Sequence, residues 1–182
     1  MIDGAQYPSA ESAVSVNVPA TRLALVIEAA PEDELAAQLI PSLATRPLEE
    51  VVQLPQVQRH LGPLLDRHQR SVQLFTERAS ADRGVVYFDL SEDSLEGYNK
   101  FIPYFLFPEC LYSVGVSSSS TRAKVSVGSN PWSTKPLLHN LAALCERYGG
   151  GGHARVAAIS FEPHDLERAR KVAEKIAATL RA

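Results

Sequence analysis

Four consecutive glycines and a histidine, Gly149 to His153, are the part of this sequence hardest to explain by folding alone. A glycine loses more backbone entropy on folding than any other residue, so a run of them needs something to offset the loss. Glycines reach positive φ and can turn successive N–H groups into one anion-holding concavity. With no side chains, they also let a ligand approach the backbone closely. His153 follows at once and adds a donor for a phosphate oxygen. The run is not a P-loop, because no Lys-Ser or Lys-Thr follows and the order is helix, loop, strand. A plain helix-to-strand connection is the competing reading.

A second segment, Arg122 to Gly128, has the alternation of a strand. One face carries Arg122, Lys124, Ser126 and Gly128, and the other Ala123, Val125 and Val127. The apolar face seals a core. The other offers two cations, a hydroxyl and a gap, which is either a solvated sheet face or a phosphate-sized positive patch. Ser129-Asn130-Pro131-Trp132 then turns the chain, and Trp132 either stacks on a base or packs beneath the loop. The five histidines are His60, His68, His139, His153 and His164. They form no His-x-x-x-His pair and join no carboxylate cluster, and no Gly-x-Ser-x-Gly elbow is present. The chain therefore shows no evident nucleophile and no evident metal cage.

Bulk properties narrow the choice. At 182 residues, 45% hydrophobic and 21% charged, the chain can bury a core. A net charge of −3 excludes a protein that grips nucleic acid over its whole surface, so anion binding must be local. Cys110 and Cys145 lie in apolar segments without a Cys-x-x-Cys pair, and read as buried thiols. The first residues lack a basic region and an apolar stretch, and no apolar run approaches the about 20 residues of a membrane span. The expectation is a soluble cytoplasmic chain with no membrane partner.

The elements that must position these residues follow from periodicity. Residues 21–80 read as helical. Leu23, Ala24, Ile27 and Glu28 open a helix, and Pro31-Glu32-Asp33 starts another that runs to Leu43. Val57, Leu61, Leu64, Leu65, His68, Val72 and Phe75 make one stripe of a helix from Pro55 to Ala79, which Gly62-Pro63 interrupts. After Arg83 the period changes. Strands are expected at 84–90, 111–116, 122–128 and 155–161, and helices at 95–107, from Thr134 to the glycine run, and after Pro163. The fold class is α/β, a mixed sheet of four to five strands flanked by helices and preceded by a helical N-terminal segment.

Taken together these motifs have a family likeness. Lys124-Val-Ser-Val-Gly-Ser-Asn-Pro-Trp132, a helix, Tyr148-Gly-Gly-Gly-Gly-His153 and a small-residue strand resemble the DHH-associated C-terminal domain. That domain accompanies the Asp-His-His phosphoesterase half in RecJ-like exonucleases, nano-RNA phosphodiesterases and exopolyphosphatase-like proteins, and it ends alanyl-tRNA synthetases. Gly97-Tyr98-Asn99-Lys100-Phe101 with Phe107-Pro108-Glu109 is most similar to the exopolyphosphatase-like branch. The likeness covers about residues 50 to 181.

The resemblance implies a helical remnant of the DHH-type lobe at 1–53, a linker helix at 54–82 and a substrate-binding domain at 83–182. It implies that Gly150, Gly151, Gly152 and His153 contact a phosphate-bearing ligand such as a nucleotide or short oligonucleotide, with Ser126, Ser129 and Asn130 of the third-strand motif beside them. Many relatives carry an Arg just before the Ser, where this chain has Gly128; Arg122, on the same strand face, is the expected substitute. The catalytic half of the family holds two manganese-type ions through an Asp-x-Asp segment, a further Asp and the Asp-His-His motif, and none of these is present here. The last metal-ligating Asp sits in a segment similar to Ile2-Asp3-Gly4-Ala5, so Asp3 is a ligand only beside a partner lobe. The chain thus looks like a product started at an internal Met, a split gene product or a fragment, with no cofactor of its own and manganese implied for the full architecture. Partners would be the ligand and a catalytic lobe. The alternatives are a stand-alone nucleic-acid-binding module, or a dimerisation domain with a vestigial site and a second copy as partner. Purified protein with Mn²⁺ should not cleave a dinucleotide or 3′-phosphoadenosine 5′-phosphate; turnover of about 1 s⁻¹ or faster would overturn this.

Overall fold

The computed structural model describes residues 7–29, 34–93 and 97–182, in two compact units divided at Arg70 and Ser71. The first unit is helical: α1 (Ala10–Val14), α2 (Pro19–Ala29), α3 (Glu34–Thr45), α4 (Leu48–Val51) and most of α5 (Pro55–Arg78). Ser9 starts α1 with a capping box, its hydroxyl accepting from the Ser12 amide at 3.1 Å. Leu23, Val26, Leu39, Val51, Val52, Val57 and Leu61 form the core of this unit. The start expected at Pro31-Glu32-Asp33 lies outside the described residues. Pro63 does not end α5: the helix runs through it, although proline lacks the N–H that would bond one turn back. The division between the units falls within the residue range of α5.

The second unit is built on one mixed sheet, in the order β1-β2-β3-β4-β6-β5. Its strands are β1 (Ser80–Asp82), β2 (Val85–Asp89), β3 (Tyr112–Ser118), β4 (Ala123–Ser129), β5 (Gly151–His153) and β6 (Val156–Phe161). Only β2 and β3 pair in parallel, and the short helix α6 (Ile102–Leu106) lies on the connection between them. The α/β class holds, with six strands in place of four to five. The two extra strands, β1 and β5, are three residues each and too short to show a period.

Alternation decides what each face does. Tyr112, Val114 and Val116 of β3, Ala123, Val125 and Val127 of β4, and Ala157, Ile159 and Phe161 of β6 share one buried face. Against it pack α7 (Leu141–Glu146) and α8 (Leu166–Leu180). Ala169, Ala173 and Ala177 recur every four residues on α8 and let the helix approach the sheet closely, while Val172, Ile176 and Leu180 fill the space beside them. Each large side chain buried this way contributes roughly 1.5–3 kcal/mol.

Two helices are shorter than the sequence pattern suggests. Residues 97–101 are not helical, because Gly97 has φ +79° and the Asn99 side chain accepts from the Phe101 amide at 2.9 Å, a local turn that competes with helix. Residues 94–96 lie outside the described set. The helix expected from Thr134 begins only at Leu141, capped by Asn140. The amides of Leu138 and His139 bond instead to the buried Tyr112 hydroxyl, at 2.9 and 3.2 Å, which leaves Leu138 76% exposed.

Arg170 of α8 ties the end of β2 to the helix. Its Nε donates to Asp89 at 2.8 Å, and its other nitrogens to Ser91 (2.9 Å), Glu92 (3.0 Å) and Glu167 (2.5 Å). Burial opposes the charge of Asp89, but hydrogen bonds from the Ser91 amide and hydroxyl, together with Arg170, outweigh it and hold the carboxyl below its usual range. A folded-state value below the unfolded one stabilises above about pH 4 and is lost as pH falls through the folded value. Arg170→Met should therefore lower stability by about 1–3 kcal/mol at pH 7, and the gap to wild type should narrow below about pH 4. Urea unfolding at several pH values checks this; a gap independent of pH would remove Asp89 from the account.

Candidate ligand-binding face

The second face of the sheet is covered on one side and open on the other. Over β2 and β3 lies an aromatic cluster. Phe88 is paired in register with Gly115, and its ring lies where a side chain at 115 would be, 2.0 Å from an ideal Cβ position. Phe75 packs on Phe88 at 4.5 Å between ring centres, and Tyr98 packs on both, at 5.1 and 5.8 Å. Two phenols end this cover at β4. The Tyr98 hydroxyl bonds to Ser126, and the Tyr104 hydroxyl bonds to Ser113 at 2.8 Å while lying 2.8 Å from an ideal Cβ on Gly128. Burial of its hydroxyl end pushes the Tyr98 pKa up, against the smaller effect of the Ser126 bond. Both phenols are neutral donors or acceptors at neutral pH.

Beyond that ledge the face is bare. Strand register places Gly128, Val156 and His153 in one cross-strand row, Ser126, Ala158 and Gly151 in the next, and Lys124 with Ser160 in a third. Neighbouring strands are about 4.8 Å apart, so the rows span roughly 10 Å from β4 to β5. Val156 is 49% exposed, and His153 and Ser160 are also exposed. The floor is thus made of small side chains, with a histidine at one edge and a lysine at one end.

The glycine run itself is not a loop of converging amides. The amides of Gly149 and Gly150 close the end of α7, donating to Glu146 at 3.1 Å and Cys145 at 3.0 Å, with Gly149 left-handed at φ +82°. Gly151 to His153 then form edge strand β5. Gly150 is glycine because its backbone lies against β6: a Cβ there would be 2.4 Å from the Ala158 carbonyl oxygen. Gly152 combines φ +148° with a similar approach to Val156. Gly151 is different. Its Cβ position meets nothing within 4 Å and faces the open side.

The expected site residues therefore divide. Gly151, His153 and Ser126 meet on the open face. Gly150 and Gly152 shape the strand beneath it. Arg122 is exposed and precedes β4, four residues from Ser126, about 13 Å for an extended chain. Ser129 and Asn130 lie apart from the open face. Ser129 is buried and donates to the Arg155 carbonyl at 3.1 Å, and Asn130 is buried, its amide donating to Pro108 and Cys110 and its oxygen accepting from Trp132. With these side-chain donors already bonded, both residues hold the ends of strands and have no side-chain donor left for an anion. Trp132 packs edge-on against Phe101 at 5.2 Å. Asp3 lies outside the described residues, and among the described residues no group of three or more His, Cys, Asp or Glu side chains is placed to hold a metal ion. The described residues thus do not fit a manganese centre. Tyr98 and Tyr104 were not expected; the small residues at Gly115 and Gly128, inside strands, are the signal that large groups lie over them.

No family model and no curated protein matches the sequence. Solved structures do share its architecture. The pGpG-specific phosphodiesterase PggH from Vibrio cholerae aligns with a TM-score of 0.77 at 22% identity, over 97% of this chain and 63% of its own. An exopolyphosphatase-related protein from Bacteroides fragilis aligns with a TM-score of 0.50 at 16% identity, over 82% of this chain and 44% of its own. CDC45 from Entamoeba histolytica aligns with a TM-score of 0.52 at 8% identity, over 88% and 37%. The chain shares the fold of these proteins. It spans less than two thirds of each of these three proteins. The likeness to PggH takes in the helical unit as well as the sheet, since it covers 97% of the chain. No described helix is long and apolar enough to cross a membrane.

The glycines should respond unequally to alanine. Gly150→Ala and Gly152→Ala should each destabilise by about 1–3 kcal/mol through overlap with β6. Gly151→Ala should be neutral or stabilising by up to about 1 kcal/mol. Urea unfolding of the three variants measures this, and an equal loss at all three would show that the face is closed over Gly151.

Proposed function

We propose that this chain is the ligand-binding half of a DHH-type phosphoesterase. Its open sheet face receives a phosphate-bearing ligand, a nucleotide or short oligonucleotide, and holds it for a metal-bearing catalytic lobe supplied elsewhere. The observation that carries this reading is the meeting of His153 and Gly151 with Ser126 and Gly128, where the aromatic cover ends, on one sheet face, from motifs far apart in the chain. A histidine at the edge supplies a donor for a phosphate oxygen. Small residues beneath let flat or bulky ligand groups lie close to the backbone. The phenol hydroxyls of Tyr98 and Tyr104 border the floor with neutral hydrogen-bonding groups. The fold shared with a pGpG-specific phosphodiesterase and with an exopolyphosphatase-related protein supports the same class of ligand.

The role this reading gives the chain is positioning. Holding a reactant in place lowers a barrier only where a nucleophile is generated, and manganese, in the full architecture, would supply that chemistry from the other lobe. On this reading the chain alone binds its ligand and does not turn it over.

The test is calorimetric titration of the metal-free chain with the 5′-phosphorylated dinucleotide pGpG. Binding is expected to weaken with added salt. His153→Ala and Gly151→Val should each reduce affinity by about tenfold or more, equivalent to about 1.4 kcal/mol, with the circular dichroism spectrum retained. Absence of binding at millimolar pGpG, or binding indifferent to both substitutions, would sink the proposal.

A further inference from the structure

Lys124 of β4 and Arg122, in the turn just before the strand, are in no ion pair with an acidic residue among the described residues. Their Cα atoms are about 7 Å apart. The ion pairs in the second unit join Arg78 to Asp93, Arg168 to Asp165, Arg170 to Asp89, Glu92 and Glu167, and Arg181 to Asp82. The Arg168–Asp165 pair lies at this end of the sheet, with Arg168 over the ring of Phe161, the partner of Ala123, but no pair includes Arg122 or Lys124. Lys124 is partly buried. Its cross-strand neighbours are Ser117 of β3 and Ser160 of β6, two hydroxyls and no carboxylate. Burial and the charge of Arg122 together hold the Lys124 pKa below its ordinary value. A partly buried lysine kept beside an arginine, without a counter-charge, is an unfavourable arrangement that a bound anion would relieve. The anion would also accept from the two serine hydroxyls.

The geometry points to a second anion-binding subsite at this end of β4, made by Lys124 and Arg122 with the hydroxyls of Ser117 and Ser160. It rests on the ligand-face reading above and deepens it, because it defines what the ligand must carry. Lys124 is four residues from Gly128, about 13 Å along the strand, and His153 lies two strands beyond Gly128. Two phosphates joined through one shared oxygen are too close together to meet both ends. Two anionic groups held apart by a nucleoside-sized spacer reach both. Lys124 then selects for the second anionic group, while His153 contacts the first.

The test compares two probes that differ by one phosphate, pGpG and GpG, on the full chain and on Lys124→Ala. Wild type is expected to prefer pGpG by about tenfold. In the variant that preference should fall to about twofold or less, with the loss concentrated on pGpG. Equal weakening of both probes, or a preference that survives, overturns the subsite. A second measurement does not depend on the nucleotide reading. Inorganic pyrophosphate titrated into isotopically labelled protein should shift the resonances of Ser117, Lys124 and Ser160, and Lys124→Ala should abolish the shifts. Pyrophosphate shifts without nucleotide binding would support the subsite and reject the broader proposal, whereas His153-dependent pGpG binding without pyrophosphate shifts would do the reverse.

Discussion

Phe88 lies in the space that a side chain on Gly115 would need, and the arrangement of the sheet follows from that one overlap. The ring can lie flat on β3 only because residue 115 has no Cβ. Phe75 and Tyr98 then pack on the ring, and the cover they make reaches β4 and stops at two phenol hydroxyls. A larger residue at 115 would lift the ring and loosen the cluster. The boundary between covered and open sheet is therefore set by packing, and the candidate site is what the covering layer leaves exposed.

The opposite face makes that asymmetry affordable. Helices α7 and α8 bury the apolar alternation of β3, β4 and β6 in a continuous core. With the strands held from one side, half of the other side can remain bare without loss of the fold. A floor of glycine, alanine and serine around one exposed valine, Val156, exposes little apolar area, so it carries little of the aggregation penalty of a flat hydrophobic face. Charge is likewise placed locally. A chain of net charge −3 still sets Lys124 between two hydroxyls, while Asp89 and Asp82 are engaged by Arg170 and Arg181. Local positive potential in an acidic protein is thus a matter of placement rather than of composition.

Much of this was legible in the residues. The alternation of Arg122 to Gly128 identified a strand with one core face, and the burial pattern of Ala123–Ser129 follows it residue by residue. The last helix was expected after Pro163, and α8 follows there. The glycine run was correctly placed between a helix and a strand, and His153 beside it. What the residues did not show was how the glycines are used. Gly149 and Gly150 cap α7, Gly150 and Gly152 are pressed against β6, and Gly151 faces the open side of the strand. Asn130 and Ser129 looked available because they are polar and sit beside a turn. Their hydrogen bonds go to carbonyls that are distant in the chain, and no local pattern records such partners.

By itself the sequence determined the α/β class, the order of most elements and the types of residue that could hold an anion, because periods of two and near four residues express which face of each element meets the core. Tertiary structure alone decided which of those anion-holding residues meet. Strand order put β5 two places from β4, so that His153 and Gly128 share a row, and it set Ser117 and Ser160 on either side of Lys124. Register between strands far apart in the chain is fixed by packing of the whole sheet, and that is why it cannot be read from any single segment.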